Sequence, residues 1–330
     1  MEAMNGNPEA IARLIREART VAVCGHVNPD GDTLSCAAAV RLALLKLGKQ
    51  VDVFCDGKVP DQLSFLPGIR EVRRPEEAEG SWDLLLSVDV SDPKRMGDCL
   101  SLKEKAARTD QIDHHPTNPL FMEMNWVDGQ APACALLIRE LLRALGVELD
   151  RELAICLYTG VSTDTGNFAF SATNAACFTM MSELMGCDLP LAKLNGILFR
   201  DREMPQVKLI GRAISGMRYY EDGRIAVMKL TEQDFADCGA LPEHADTVVN
   251  FGLYTVGTRF AMLAREGMAV EGKQGTVKFS LRAKDPDTVS DVAQAFGGGG
   301  HPQAAGITMN GTLDEAAGKV LEAMIRKLNG

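Results

Sequence analysis

The first 190 residues alternate between short apolar runs and longer segments in which apolar residues recur at helical spacing. Runs of this length, bounded by polar clusters, predict buried strands over 20–27, 50–55, 82–90 and 109–112. Helical spacing predicts helices around 11–18 and over 34–47, 133–145, 151–161 and 174–185. Strands that alternate with helices in this way predict an α/β domain whose mostly parallel sheet is covered by helices on both faces.

The pattern changes near residue 190. Residues 191–217 are charged and helical in spacing, with a break near Pro205 and Gly211, as expected of a connector. The remainder predicts a smaller α/β domain, with strands over 224–230, 258–264, 276–282 and 304–309 and helices over 231–238, 289–296 and 313–328. We therefore expect two domains, 1–190 and 219–330, joined by a helical linker over 191–218.

The charge of the chain is uneven. Its 330 residues carry a net charge of −10, which argues against a protein that coats long nucleic acid. Residues 1–190 hold 18 Lys and Arg against 28 Asp and Glu, whereas residues 191–330 hold 17 of each. The acidic excess of the first part is explained either by a solvated surface or by carboxylates that hold cations.

The nine cysteines are dispersed and none forms a CxxC pair, so neither a zinc ribbon nor a thioredoxin-like site is predicted. Dispersed thiols of odd number are typical of a reducing compartment. The first 17 residues lack the apolar core of a signal peptide, and no stretch is apolar enough to span a membrane. We expect a cytoplasmic protein without a membrane partner.

Polar clusters follow three of the predicted strands. They are His26-Val-Asn-Pro-Asp30-Gly-Asp32, Ser87-Val-Asp89-Val-Ser-Asp92 and Asp113-His114-His115. A fourth cluster, around Asp164, follows a helix. Each cluster by itself is compatible with a turn or a helix cap, but ligands of open α/β sheets bind at the carboxyl ends of strands. Imidazoles and carboxylates bind Mn²⁺, Fe²⁺ and similar ions, and several buried carboxylates require compensating charge. We therefore expect two divalent cations.

A fifth cluster is the glycine run before His301, which includes Gly298, Gly299 and Gly300. It is not a Walker loop, because no Gly-Lys-Ser/Thr follows. Consecutive glycines permit close backbone approach and expose N–H donors to a phosphate. Arg282 ends a strand shortly before it, and a guanidinium suits phosphate recognition. For Arg282 alone, a surface salt bridge is the competing interpretation.

Together, the five clusters resemble the DHH phosphoesterase superfamily with its DHH-associated C-terminal domain, and most of all its nanoRNase/pAp-phosphatase type. The resemblance runs from about residue 21 to residue 306. It implies a centre of two metal ions, typically Mn²⁺, in the cleft between the domains. His26 and Asp30 would bind one ion, Asp32, His114 and Asp164 the other, and Asp89 both.

The resemblance also implies roles around the metals. Asp113 would orient His114, and His115 would face the scissile phosphate. From the second domain, the nucleotide would be held by Arg282, Gly298, Gly299, Gly300 and His301. Asn167 departs from the family pattern, in which many relatives carry a basic residue, so substrate contacts at this turn stay open. A homodimer through the first domain is compatible with the resemblance.

The expected function is hydrolysis of very short oligoribonucleotides to 5′-mononucleotides, together with removal of the 3′-phosphate from 3′-phosphoadenosine 5′-phosphate. A phosphodiesterase for cyclic di-AMP or pApA is the nearest alternative. A RecJ-type processive exonuclease is disfavoured by the short chain, and a pyrophosphatase by the glycine-rich domain. The alternative from another class, a non-catalytic nucleotide-binding regulator, is disfavoured because none of the six expected ligands is missing.

Overall fold

The computed structural model describes residues 4–267 and 275–329, without the side chains of Met4, Asn5 and His301. The chain divides into two compact units, Met1–Asp201 and Arg202–Gly330. The boundary falls inside the segment expected to be a linker. None of the helices in the described ranges combines the length and the apolar composition that crossing a membrane requires.

The first unit is built on one parallel sheet. Its strands are β1 (Met4–Asn5), β2 (Thr20–Cys24), β3 (Gln50–Phe54), β4 (Val72–Arg73), β5 (Leu84–Val88), β6 (Thr109–Asp113) and β7 (Met124–Val127). They are ordered β1-β7-β6-β5-β2-β3-β4, and every neighbouring pair is parallel. The sequences of β2 and β5 are nearly continuous apolar runs because both faces of the sheet are covered. The predicted parallel sheet flanked by helices is confirmed.

Six α-helices pack on one face of this sheet: α1 (Pro8–Glu17), α2 (Gly31–Lys46), α3 (Cys134–Leu145), α4 (Arg151–Asp164), α5 (Ala175–Met185) and α6 (Leu191–Asn195). The opposite face packs against the 3-10 helical segment Pro93–Lys105 through Met96, Cys99 and Leu102. Helix α2 is buried along most of its length and packs against α3 and α4. Gly160 of α4 permits this packing, since a Cβ there would lie 2.4 Å from Oδ1 of Asp32 and 2.7 Å from Cβ of Ala135. The close contact brings the start of α2 to the end of α4.

The second unit holds a mixed sheet. Its strands are β8 (Arg218–Tyr220), β9 (Ile225–Leu230), β10 (Phe260–Glu266), β11 (Thr276–Ala283), β12 (Gly299–His301) and β13 (Ala304–Asn310). Their order is β12-β13-β11-β10-β9-β8, and only the β9–β10 pair is parallel within the described residues. The helices are α7 (Met204–Ser215), α8 (Glu232–Cys238), α9 (Asn250–Leu253), α10 (Ser290–Ala295) and α11 (Leu313–Asn329).

The segment predicted as one broken helix is divided between the two units. Helix α6 and a single π-helical turn, Gly196–Arg200, belong to the first unit, and α7 belongs to the second. The interruption lies over 201–203, directly before α7, and Pro205 stands in the first turn of that helix. In the first turn of a helix, backbone N–H groups have no carbonyl partner within the helix, so a proline loses no hydrogen bond there. A proline at this position is therefore compatible with the start of a helix.

A carboxylate buried in β6 makes stability depend on pH. Asp110 is 1% exposed, and its Oδ2 accepts no hydrogen bond from the described residues. Burial raises the pKa of Asp110 to about 7, with a further contribution from Glu123. Because the folded pKa lies above the unfolded value, folding favours the protonated form, and stability is lost as pH rises from about 4 to 7.

We expect Asp110→Asn to remove this loss and to raise the free energy of unfolding by about 4 kcal/mol at pH 8. At pH 4 the variant and the parent should differ little. Urea unfolding followed by tryptophan fluorescence measures the effect, since Trp82 and Trp126 both lie in the first unit. An equal difference at both pH values would contradict the prediction.

Candidate metal centre

Three neighbouring strands of the first sheet deliver polar side chains to its carboxyl edge. His26 lies two residues beyond β2, Asp89 directly follows β5, and His114 directly follows β6. These strands are adjacent in the order β6-β5-β2, so the chain segments that leave them begin side by side. This is the edge at which open α/β sheets bind ligands.

Two helix ends complete the site. Asp30 is the N-cap of α2, and its Oδ1 accepts a hydrogen bond from the Thr33 amide at 3.1 Å. Asp32 lies in the first turn of α2, and Asp164 is the last residue of α4. Gly31 allows these ends to meet, because a Cβ there would lie 2.5 Å from the side chain of Thr163.

His26, Asp30 and Asp89 form the first group of ligand-type atoms, all within 4.8 Å of one another. Nε2 of His26 lies 3.4 Å from Oδ2 of Asp30 and 3.8 Å from Oδ2 of Asp89. Nδ1 of His26 donates to the carbonyl oxygen of Val27 at 2.8 Å. This bond fixes the ring and leaves Nε2 directed at the carboxylates, the usual arrangement of a metal-ligating histidine.

The second group consists of Asp32, His114 and Asp164. Nε2 of His114 lies 3.2 Å from Oδ2 of Asp164 and 3.4 Å from Oδ1 of Asp89. Nδ1 of His114 donates to the carbonyl oxygen of Ala131 at 3.1 Å. The structure therefore brings together all six side chains that were expected to bind metal, in the two sets that were expected.

Asp89 stands between the two groups. It is 2% exposed, and each of its oxygens faces a different histidine. Its Oδ2 accepts a 2.6 Å hydrogen bond from Oγ1 of Thr33, whereas its Oδ1 is buried without a hydrogen bond from the described residues. The backbone of Asp89 has a φ of 57°, a left-handed conformation that costs energy in a residue other than glycine. Such strain is typical of functional sites.

The charges of the site are unbalanced. Burial raises the pKa of Asp32 well above its ordinary value, as do the neighbouring carboxylates of Asp164 and Asp89. Burial also raises the pKa of Asp164. At His114, burial alone would lower the pKa, but the nearby carboxylates of Asp164 and Asp89 raise it to about 12. All three shifts reflect more negative charge than the nearby side chains neutralise.

This environment fits divalent cations. Carboxylate oxygens and imidazole nitrogens are ligands for Mn²⁺ and similar ions, and a buried carboxylate oxygen without a hydrogen bond is a natural position for one. The residues that could hold an ion are the two groups named above and a third group, Asp89, His114 and His115, whose ligand-type atoms also lie within 4.8 Å of one another.

The expected role of Asp113 as the residue that orients His114 is wrong. Oδ1 of Asp113 lies 2.7 Å from Nδ1 of His115, while His114 donates to Ala131 instead. Side chains alternate along an extended chain, so residues two apart point the same way. The hydrogen bond to Asp113 raises the pKa of His115. It engages Nδ1 of the ring and not Nε2.

Asn118 was missed by the sequence analysis. Its Nδ2 donates to Oδ2 of Asp113 at 2.6 Å and to the carbonyl oxygen of Val90 at 2.9 Å. Its Oδ1 accepts from the amide of Leu120 at 2.8 Å. Asn118 thereby fixes Asp113, which in turn fixes His115. Its place five residues beyond Asp113, in a polar turn, was the only sequence signal.

We expect Asn118→Ala to lower kcat about 10- to 100-fold, a usual cost of removing a residue that orients another. Metal affinity should be unchanged, because Asn118 contacts neither group. Steady-state rates and calorimetric Mn²⁺ titration measure the two quantities, with Thr117→Ala, an exposed residue of the same turn, as the control. A kcat equal to that of the control would contradict the assignment.

The predicted substrate-binding residues belong to the second unit. Arg282 lies in β11, forms no ion pair with the described residues, and donates from Nη1 to the carbonyl oxygen of Leu281 at 2.9 Å. Burial lowers the pKa of Arg282. The competing interpretation, a surface salt bridge, is therefore wrong for the described residues.

The glycine run has a structural explanation. A Cβ on Gly298 would lie 2.1 Å from the carbonyl oxygen of Gly306, and one on Gly300 would lie 2.4 Å from that of Ala304. Gly299 and Gly300 pair with β13, and the amide of Gly298 donates to Ala293. Gly298 and Gly300 are required for close backbone approach, a Cβ on Gly299 would meet nothing within 4 Å, and binding of phosphate by these glycines stays a prediction. The side chain of His301 lies outside the described residues.

The comparisons with known proteins agree with this geometry. Residues 20–161 match the model of the DHH family N-terminal domain, and residues 256–330 match the DHHA1 domain. The bifunctional oligoribonuclease and PAP phosphatase NrnA of Thermus thermophilus is 32% identical over 307 residues, which cover 93% of this chain and 89% of that protein. The protein of the same name from Bacillus subtilis is 27% identical over 309 residues, which cover 93% of this chain and 94% of that protein.

A solved structure has the same fold. The exopolyphosphatase-related protein from Bacteroides fragilis superposes with a TM-score of 0.88 at 24% identity, covering 97% of this chain and 95% of that one. At this identity the likeness concerns the fold alone.

Proposed function

We propose that this chain, which belongs to the DHH family, is a metal-dependent phosphoesterase that hydrolyses short oligoribonucleotides to 5′-mononucleotides and dephosphorylates 3′-phosphoadenosine 5′-phosphate. The observation that carries the proposal is Asp89, whose carboxylate lies between two histidine–aspartate groups and keeps one oxygen free of hydrogen bonds from the described residues. The relatives named for both activities supply the substrate class.

We propose that two divalent ions bind here and that they are Mn²⁺. One would be held by His26 and Asp30, the other by Asp32, His114 and Asp164, with Asp89 shared between them. When bound, such ions supply Lewis acidity toward the phosphoryl oxygens and make water a stronger nucleophile at neutral pH.

Side chains of the protein would contact the substrate. His115, held at Nδ1 by Asp113, presents Nε2 to a phosphoryl oxygen or to the departing sugar oxygen. Its side chain is 37% exposed, so a substrate phosphate can reach it. Arg282 and the glycine run remain our candidates for substrate contacts in the second unit.

Hydrolysis of a di- to pentaribonucleotide series and of 3′-phosphoadenosine 5′-phosphate tests the proposal. With Mn²⁺ present we expect 5′-mononucleotides from the series and AMP from the bisphosphate. The same assay should include cyclic di-AMP and pApA, because a much higher rate on these would favour the alternative phosphodiesterase. Absence of hydrolysis on every substrate, at pH 7 to 9 and with several divalent metals, would refute the proposal.

A further inference from the structure

A cavity of about 430 Å³ lies in the first unit beside the turn that follows Asp164. Phe168, Phe178 and Met181 provide an apolar wall. The ring centroids of Phe168 and Phe178 are 5.6 Å apart with planes inclined at 34°, so the two rings form one aromatic surface. Phe178 is 58% exposed, a large apolar surface to leave in water without a ligand or partner.

The rim of the cavity is polar. Nδ2 of Asn195 donates to Oδ1 of Asn167 at 3.0 Å, which leaves the amide nitrogen of Asn167 without a partner among the described residues. The guanidinium of Arg200, also at the rim, forms no ion pair or hydrogen bond with the residues that the structure describes. The cavity therefore combines an aromatic wall, an amide donor and an unpaired positive charge.

The backbone keeps Asn167 and Phe168 close to a candidate metal ligand. Asn167 and Phe168 have φ values of 57° and 65°, left-handed conformations that are rare for a bulky residue such as phenylalanine. Asn167 is three residues beyond Asp164, so the chain keeps their Cα atoms within about 11 Å of each other. A strained turn thus places an aromatic and an amide side chain within the length of a nucleotide from a candidate metal ligand.

We propose that this cavity is a nucleobase subsite, which binds one nucleotide of the substrate next to the phosphate that is cleaved. The base stacks on Phe178, Asn167 hydrogen-bonds its edge, and Arg200 pairs with a phosphate. Aromatic rings stack on any base, and guanidinium groups bind phosphate. A purely apolar ligand would leave Arg200 and Asn167 unpaired, and a bare phosphate would leave the aromatic wall unused. The inference rests on the proposed function.

Steady-state kinetics on a 5′-phosphorylated diribonucleotide tests the subsite with Phe178→Ala, Phe178→Trp and Arg200→Ala. Base stacking on one aromatic ring predicts that Phe178→Ala raises KM about tenfold or more, with kcat within about twofold. Phe178→Trp should retain the low KM. Phe170→Ala is the matched control, since Phe170 is 59% exposed and outside the cavity lining, and Lys193→Ala is the control for Arg200.

An abasic substrate adds a second test. Removing the base that occupies the subsite should raise the KM of the parent by a similar factor and abolish its sensitivity to Phe178→Ala. A parent that hydrolyses the dinucleotide while Phe178→Ala keeps the KM of Phe170→Ala would overturn the subsite and leave the proposed function intact.

A parent that hydrolyses nothing would instead refute the proposed function. Calorimetric titration of the metal-free protein with AMP then decides the subsite separately. If AMP binds Phe178→Ala about tenfold more weakly than the parent, the subsite is supported. If AMP binds both proteins equally, or does not bind the parent, the subsite is overturned. A dimer that Phe178→Ala dissociates in sedimentation, with KM unchanged, would also overturn it, because a second copy would then occupy the cavity.

Discussion

Asp89→Asn is expected to lower kcat by at least about 1,000-fold, which corresponds to about 4 kcal/mol of transition-state stabilisation. Asn keeps the size of the side chain and an oxygen that can accept the 2.6 Å hydrogen bond from Thr33. It removes the negative charge that faces both His26 and His114. Since one carboxylate is proposed to serve both metal ions, its loss should weaken both.

Initial rates with saturating Mn²⁺ measure the loss, and calorimetric Mn²⁺ titration measures the binding. Asp92→Asn is the matched control, because Asp92 lies in the same loop and caps the following helical segment, a task that asparagine performs equally well. A rate for Asp89→Asn within tenfold of the parent would exclude Asp89 as a shared ligand.

Asp32→Ala is expected to reduce both activity and stability. Asp32 is fully buried, and its carboxylate accepts hydrogen bonds from the amides of Cys134 at 2.6 Å and Ala135 at 3.1 Å. These are among the first amides of α3, which have no acceptor within their own helix. Leaving them unpaired should lower the free energy of unfolding by about 2 kcal/mol even without metal. The lost ligand should lower kcat at least about 100-fold.

Asp164→Ala separates the loss of activity from the loss of stability. Asp164 belongs to the same group of ligand-type side chains, but its carboxylate accepts no backbone hydrogen bond from the described residues. Its removal should lower kcat similarly and change the metal-free stability by no more than about 0.5 kcal/mol. Urea unfolding in EDTA compares the variants, and equal stability of Asp32→Ala and Asp164→Ala would contradict the capping role.

The sequence predicted the central strands well because their burial leaves a clear pattern. β2 and β5 are almost wholly apolar, since α-helices cover one face of the sheet and the segment Pro93–Lys105 covers the other at these positions. The short strands β1, β4, β7, β8 and β12 were missed. Two to four residues carry too little periodicity to predict a strand, and only their hydrogen bonds to a neighbouring strand define them.

The glycine run shows a second reason why sequence alone does not determine the site. Its composition predicts a phosphate-binding loop, which stays a prediction, and Gly300 also pairs with Ala305 in a tight antiparallel hairpin. Glycine is needed wherever two chain segments approach closely, whether the second segment is a ligand or another strand. The sequence showed the need for close approach but not which partner required it.

The sequence by itself determined which side chains could form the metal centre of this protein. Histidines and aspartates follow strands that alternate with helices, and parallel strands end at a common edge, so His26, Asp89 and His114 had to meet. Which atoms face one another was decided only by the tertiary structure. Several hydrogen bonds of the site could not be predicted from the sequence. Asp113 pairs with His115 and accepts from Asn118, and Asp32 accepts from the amides of Cys134 and Ala135. These bonds depend on distances of a few ångströms between atoms that no local pattern places, and hydrogen bonds form or fail over such distances.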